Sequence, residues 1–264
     1  MAARVEVKID GAIAHVDLAR PEKLNGLDLA MLRELIGAAK QIRRDRAVRA
    51  VILSGQGDAF SAGLDFAAAA KQPAAMARGF FKVPRLQRTN LYQRACWVWR
   101  ELPVPVIAAL HGRCYGGGLQ LALACDFRVA TPDCELSVME AKWGLIPDMT
   151  GSVTLRELLP IDVAKRLTMT AETFSGERVL ELGLVTEVAD DPHAAALRLA
   201  EEVTVRSPDA VSATKRLFHR SWTASERKAF WVESREQLRL LAGENHKRAR
   251  RSGGAPESWV NRRR

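Results

Sequence analysis

Two features of the sequence can handle charge that appears and disappears during a reaction. The first is a row of backbone amides. Residues 104–126 read Val104-Pro-Val-Ile-Ala-Ala-Leu-His-Gly-Arg-Cys-Tyr-Gly-Gly-Gly-Leu-Gln-Leu-Ala-Leu-Ala-Cys-Asp126. A β-prone apolar run enters a turn at Gly112, and Gly116, Gly117 and Gly118 then open a run with helical spacing. This places bare N–H groups at a helix start, where negative charge is stabilised. The same glycines also suit a tight turn and close packing, and the triplet alone does not separate the two readings. The second feature is Glu140, at the end of the apolar run Leu136-Ser-Val-Met-Glu-Ala. A carboxylate among apolar groups has a raised pKa and can accept and return a proton; an exposed helix glutamate is the plainer alternative. Gln120 follows Gly117 by three residues and so faces the same side of the helix. Asp148 follows Glu140 by eight residues and is placed to cap a helix beginning near Thr150 or Gly151.

The elements that must position these groups follow from periodicity. Val5 to Ile9 and Ile13 to Leu18 are β-like runs flanking Asp10-Gly11, a strong hairpin signal. Leu32, Leu35, Ile36 and Ile42 give Leu27 to Arg44 the apolar face of a helix. Ala47 to Leu53 reads as a buried strand ended by Ser54-Gly-Gln-Gly57. Residues 67–85 are Ala-rich, contain Pro73 and Pro84, and predict a mobile helical insert or flap. Leu86 to Leu102 predicts a helix stopped by Pro103, Val104 to Leu110 a strand, Gly117 to Cys125 a helix, and Phe127 to Ala130 another strand. The alternation indicates an α/β core with parallel pairing. From Asp191 onward only helices are expected, over Pro192 to Arg206, Pro208 to Arg220 and Ser225 to Gly243. Their amphipathic faces need cover from the core or from a neighbouring subunit.

The chain has 264 residues, enough for one large domain or a domain with an appendage, and its 47% hydrophobic content supports a globular core. No apolar run is long enough to span a bilayer. The start, Met1-Ala-Ala-Arg-Val-Glu-Val-Lys, lacks the apolar region of a signal peptide, so a soluble cytoplasmic protein is expected. Cys96, Cys114, Cys125 and Cys134 form no C-x-x-C pair, and no metal or redox motif is expected. Cys114 and Cys125 read as buried thiols. Lys plus Arg number 40 against 31 Asp plus Glu, a net charge of +9. Much of the excess lies in Lys247-Arg-Ala-Arg-Arg251 and Arg262-Arg-Arg264. Such charge attracts nucleic acid or a phosphorylated ligand. No interleaved aromatic motif for base stacking accompanies it, and the stretch reads as a solvated, partly disordered tail.

Five segments in order resemble the crotonase, or enoyl-CoA hydratase/isomerase, superfamily. They are Arg20-Pro-Glu-Lys-Leu-Asn-Gly26, Phe60-Ser-Ala-Gly-Leu-Asp65, Pro105 to Asp126, Glu140-Ala-Lys-Trp-Gly-Leu-Ile-Pro147, and Ser175-Gly-Glu-Arg-Val-Leu-Glu-Leu-Gly-Leu-Val185. The resemblance implies a ββα spiral core, residues 1–205, followed by a C-terminal helical region with a basic tail, residues 206–264, that builds homotrimers or dimers of trimers. It also implies an acyl-CoA thioester substrate, the CoA arriving with it and no separate cofactor.

The chemistry so implied is stabilisation of a thioester enolate. The N–H groups of Leu64 and Gly117 would form the oxyanion hole; one such donor typically contributes about 3 kcal/mol of barrier lowering. Glu140 would be the acid/base. Family hydratases typically carry a second glutamate where this chain has Gln120, which points to double-bond isomerisation here. Members that isomerise dienoyl-CoAs carry an aspartate at the offset of Asp148. Lys23, Leu24, Ala62, Asp65 and Phe66 would contact CoA, mostly through backbone. Competing readings are an enoyl-CoA hydratase of fatty-acid β-oxidation, acyl-CoA hydrolysis or C–C cleavage, a non-catalytic acyl-CoA-binding subunit, and an RNA-binding protein.

Overall fold

A computed structural model describes residues 3–81, 88–254 and 258–262. Strands β1 (Val5–Asp10) and β2 (Ile13–Leu18) form the expected antiparallel hairpin, with Gly11 at φ +54°. Helix α1 (Leu29–Arg44) starts at Asp28, whose carboxylate accepts from Met31 N at 2.8 Å. It returns the chain to β3 (Ala50–Gly55), parallel to β2. Two short helices follow, α2 (Phe66–Ala70) and α3 (Pro73–Phe81). They occupy the described part of the predicted insert; Pro84, Arg85 and the expected helix start at Leu86 lie outside the described residues. Helix α4 (Leu91–Arg100) instead begins after a capping box between Asn90 and Gln93.

Strand β4 (Val106–Leu110) leads into a short β5 (Arg113–Tyr115), then α5 (Gly117–Leu123), β6 (Phe127–Ala130) and a short β7 (Glu135–Ser137). The six-stranded sheet is completed by β8 (Glu187–Val188), after helices α6 (Gly151–Leu158), α7 (Ile161–Thr170) and α8 (Gly176–Glu181). From β2 onward its neighbours pair in parallel, and β5 pairs with β7 in a second, two-stranded sheet. The successive turns β4–β5–α5 and β6–β7 followed by helices thus each give one strand to each sheet and then a helical segment. Strands β3 and β4 are buried throughout and apolar but for Ser54 and Gly55 at the end of β3, as expected of parallel strands covered on both faces. Leu32, Leu35, Trp99 and their neighbours cover one face. The other receives α9 (Pro192–Thr204), where Ala195, Ala196 and Ala200 let the helix lie close on Ile52, Ile107 and Val129.

Helices α10 (Pro208–Ser221), α11 (Glu226–Leu241) and α12 (Glu244–Arg251) follow, with no strand after Asp191 among the described residues. Helix α10 is pinned to the core by Lys215. Its buried ammonium donates to Trp99 O (3.2 Å), Val104 O (2.9 Å) and Asp126 Oδ2 (2.6 Å). The basic C-terminal stretch is ordered where it is described, while Lys247, Arg250 and Arg251 keep their side chains exposed as expected. Lys247 to Arg251 are helical, and Asn245, 1% exposed, bonds Asp209 and both backbone groups of Val260. Arg262 is buried and donates to the carbonyls of Arg43 and Asp45. Side-chain hydrogen bonds rather than apolar burial hold this region, so hydropathy does not register it. Arg263 and Arg264 lie outside the described residues.

Candidate active site

The glycine-rich segment and the segment around Leu64 meet in one place. Gly116 sits at φ +48°, a conformation costly to other residues, and turns the chain from β5 into α5. Gly117 is the first residue of α5, and its N–H has no acceptor among the described residues. On the facing segment, Leu27 N donates to Gly63 O (2.7 Å) and Asp65 N to Leu27 O (3.1 Å), which leaves the N–H of Leu64 between them equally bare. Gly63, at φ +86°, allows the approach: a Cβ there would lie 2.8 Å from Tyr115 O and 3.5 Å from Gly117 N. Leu64 and Gly117 line the same cavity of about 140 Å³.

Glu140 belongs to a 3-10 turn, Met139–Trp143, and is 8% exposed. Its Oε1 accepts from Gln120 Nε2 at 2.6 Å, while Oε2 is buried without a partner. Burial raises its pKa above the ordinary 4.5; hydrogen bonds from its own N–H and from Gln120 oppose the rise, and the charge of Asp148 adds to it. Gln120 is 2% exposed and fully engaged. Its Oε1 accepts from Met149 N (2.8 Å) and Gly151 N (2.9 Å). Two backbone donors demand an acceptor, so the amide oxygen must face them and the NH₂ must face Glu140. The side chain is therefore a clamp on the carboxylate.

Asp148 lines the cavity with Glu140, half-buried, and burial raises its pKa as well, against a hydrogen bond from its own N–H. It does not cap the next helix. Helix α6 begins at Gly151, and its N-cap is Thr150, at φ +82°, with no side-chain cap bond. The left-handed Thr150 leaves that turn no place for the Asp148 carboxylate.

The segments holding the expected CoA contacts are stitched together beside the cavity. Leu24 and Asn25 are left-handed, and the Asn25 amide bonds Arg20 N, Gln56 O and Ala59 O. Ala62 N donates to Leu24 O (2.8 Å). Lys23 is exposed on this loop, and Ala62 and Phe66 line the cavity. Asp65 is engaged otherwise: it caps α2 through Ala68 N (2.9 Å) and pairs with Arg20 at 2.7 Å. Burial pushes its carboxyl up, but these hydrogen bonds and the Arg20 charge hold it below its usual value.

Sequence reasoning missed much of the cavity wall. Phe80, Tyr92, Met139, Trp143 and Met149 line it too. Tyr92 lies one turn before Cys96 on the apolar face of α4; that spacing signals burial and nothing about a ligand. Among the described residues no cluster of potential metal ligands is present, and no helix is long and apolar enough to cross a membrane.

Comparison with known proteins agrees with this geometry. A family model described as enoyl-CoA hydratase/isomerase matches residues 8–254. The mitochondrial Delta(3,5)-Delta(2,4)-dienoyl-CoA isomerase of Mus musculus is 35% identical over 213 residues, 77% of this chain and 64% of that protein. The chain thus spans less than two thirds of that relative. The (E)-benzylidenesuccinyl-CoA hydratase of Thauera aromatica is 30% identical over 216 residues, 80% of each chain. An enoyl-CoA hydratase structure from Mycobacterium tuberculosis superposes with a TM-score of 0.85 at 31% identity, covering 98% of this chain and 99% of that one. The α/β architecture is therefore that of the crotonase-like fold.

Proposed function

The chain belongs to the enoyl-CoA hydratase/isomerase family, and on that premise we propose that it moves a carbon–carbon double bond in an enoyl- or dienoyl-CoA. In this reading Leu64 N and Gly117 N hold the thioester oxygen as an enolate forms. One carboxylate removes a proton and a carboxylate, Glu140 or Asp148, returns it at another carbon. The observation that carries the reading is the pairing of two carboxylates on one cavity, each with a raised pKa, one of them left with an empty oxygen. A raised pKa moves a carboxylate toward the range of a base that must also act as an acid. Gln120 serves as a positioning residue. Its oxygen is spent on Met149 and Gly151, which leaves it no lone pair aimed at a water in the manner of a hydratase carboxylate.

The CoA is carried by the substrate, with Lys23, Leu24, Ala62 and Phe66 beside it; the Asp65 carboxylate is taken by Arg20. Residues 206–264 serve self-association into a trimer or a dimer of trimers. The exposed Phe218, Trp222, Phe230, Trp231 and Leu238 on α10 and α11 support that role, and a cytoplasmic setting fits the same reading.

The test is a substrate panel of 2-enoyl-, 3-enoyl- and 3,5-dienoyl-CoA, with products identified by mass and chromatography, for the wild type and for Gln120→Glu. Isomerisation should dominate in the wild type, and hydration should appear or rise in the variant. Strong wild-type hydration of the 2-enoyl substrate would refute the isomerase reading in favour of a hydratase.

A further inference from the structure

Resting on the acyl-CoA reading above, we propose that the acyl end of this cavity selects a planar aromatic ring, so that the preferred substrates are aryl-bearing unsaturated acyl-CoAs rather than straight-chain ones. The chain holds eight Phe, two Tyr and six Trp, and four of them, Phe66, Phe80, Tyr92 and Trp143, converge on this one space. They form two walls. Phe66 and Trp143 meet at a tilt, ring centroids 5.0 Å apart, and both are partly exposed at 41% and 56%. Phe80 and Tyr92 stack with centroids 4.1 Å apart and planes 22° apart.

The Tyr92 wall is fixed in place. The residue is 1% exposed, and its hydroxyl bonds Met76 O (3.2 Å) and Met76 Sδ (3.0 Å) on α3. Gly79 lies against its ring: a Cβ there would sit 2.9 Å from Tyr92 Cε2. Glycine inside a helix is unfavourable by about 1 kcal/mol relative to alanine, so its place here makes room for the ring. Burial and the charge of Asp148 push the phenol up to about 12, and Tyr92 stays neutral as a wall rather than a proton carrier.

A ring offers its face and edges to the exposed Phe80, which Tyr92 backs, and to Phe66 and Trp143, and aromatic contacts exceed simple area burial. It also brings no chain torsions to be frozen, as a saturated chain does.

The test measures binding, which does not depend on which double-bond reaction occurs. Two unreactive saturated thioesters with equal numbers of acyl carbons, one phenyl-terminated and one straight-chain, are titrated calorimetrically into the full chain. The phenyl-terminated thioester should bind about three- to tenfold more tightly, the range of an added aromatic contact. Phe80→Leu should bring the two affinities together, whereas Phe80→Tyr should keep the preference, thermal melts establishing that both variants fold. Equal or tighter wild-type binding of the straight chain overturns the aryl preference alone. Failure of both thioesters to bind overturns the acyl-CoA reading with it.

Discussion

Two regions of this molecule bury charge, and they treat it oppositely. At the seam between the core and α10, Lys215 meets two carbonyls and the Asp126 carboxylate, and Asp126 also accepts from Val106 N at 2.8 Å. The ammonium and the carboxylate there are both partnered. In the cavity, Glu140 has one oxygen clamped by Gln120 and the other buried without a partner. The first arrangement answers a buried charge with partners, although burial still lowers the Lys215 pKa. The second leaves a carboxylate poorly solvated and its proton affinity raised, the condition that the proposed proton transfer needs. Burial is common to both; what differs is that the cavity carboxylate has no cation beside it among the described residues, whereas Asp126 has Lys215.

The contrast is broken most directly at Glu140. Glu140→Gln should lower kcat by about 10²- to 10⁴-fold, the usual contribution of a positioned acid/base. The folding midpoint should stay level or rise, as measured by urea unfolding beside steady-state kinetics. A large loss of stability would mean that Glu140 holds the fold, as Lys215 does. At the seam the expected effects are reversed. Lys215→Ala leaves the buried Asp126 without its cation, a change of about 3–5 kcal/mol for a broken buried pair. Denaturant titration should register it, while turnover per folded molecule is retained.

The smallest effect sharpens the seam further. His219 lies 3.5 Å from Asp126, and burial first, then the charge of Arg100, pushes its imidazole from 6.5 down to about 4. The unfolded chain takes up this proton near 6.5 and the folded chain only near 4. Stability should therefore fall as pH drops through that window. His219→Gln should flatten that part of the curve in urea midpoints collected from neutral to acidic pH. An unchanged slope would remove His219 from the seam's charge balance.

Legibility in the sequence followed the kind of force involved. The Asp10-Gly11 hairpin, the β4–α5 turn and the three long C-terminal helices were readable because periodicity and turn residues act locally. Strands β5 and β7 were not, since three residues carry no period and their pairing joins distant segments. Helix α12 was hidden because polar side chains anchor it. In the site, Glu140, Asp148, Leu64 and Gly117 were expected and converge. The engagement of Gln120 with Met149 and Gly151 was not legible, because it depends on a turn 29 residues away. Tyr92 was invisible as a cavity wall for the same reason: Phe80, its stacking partner, lies on another helix.

The Gln120 clamp also governs precision. The amide grips Glu140 through its nitrogen and the backbone beside Asp148 through its oxygen. The spacing of the two proton-handling groups is thus referred to the covalent geometry of one rigid, planar group rather than to the packing of a loop. One side chain thus ties the Met149–Gly151 turn to the Glu140 carboxylate through three hydrogen bonds.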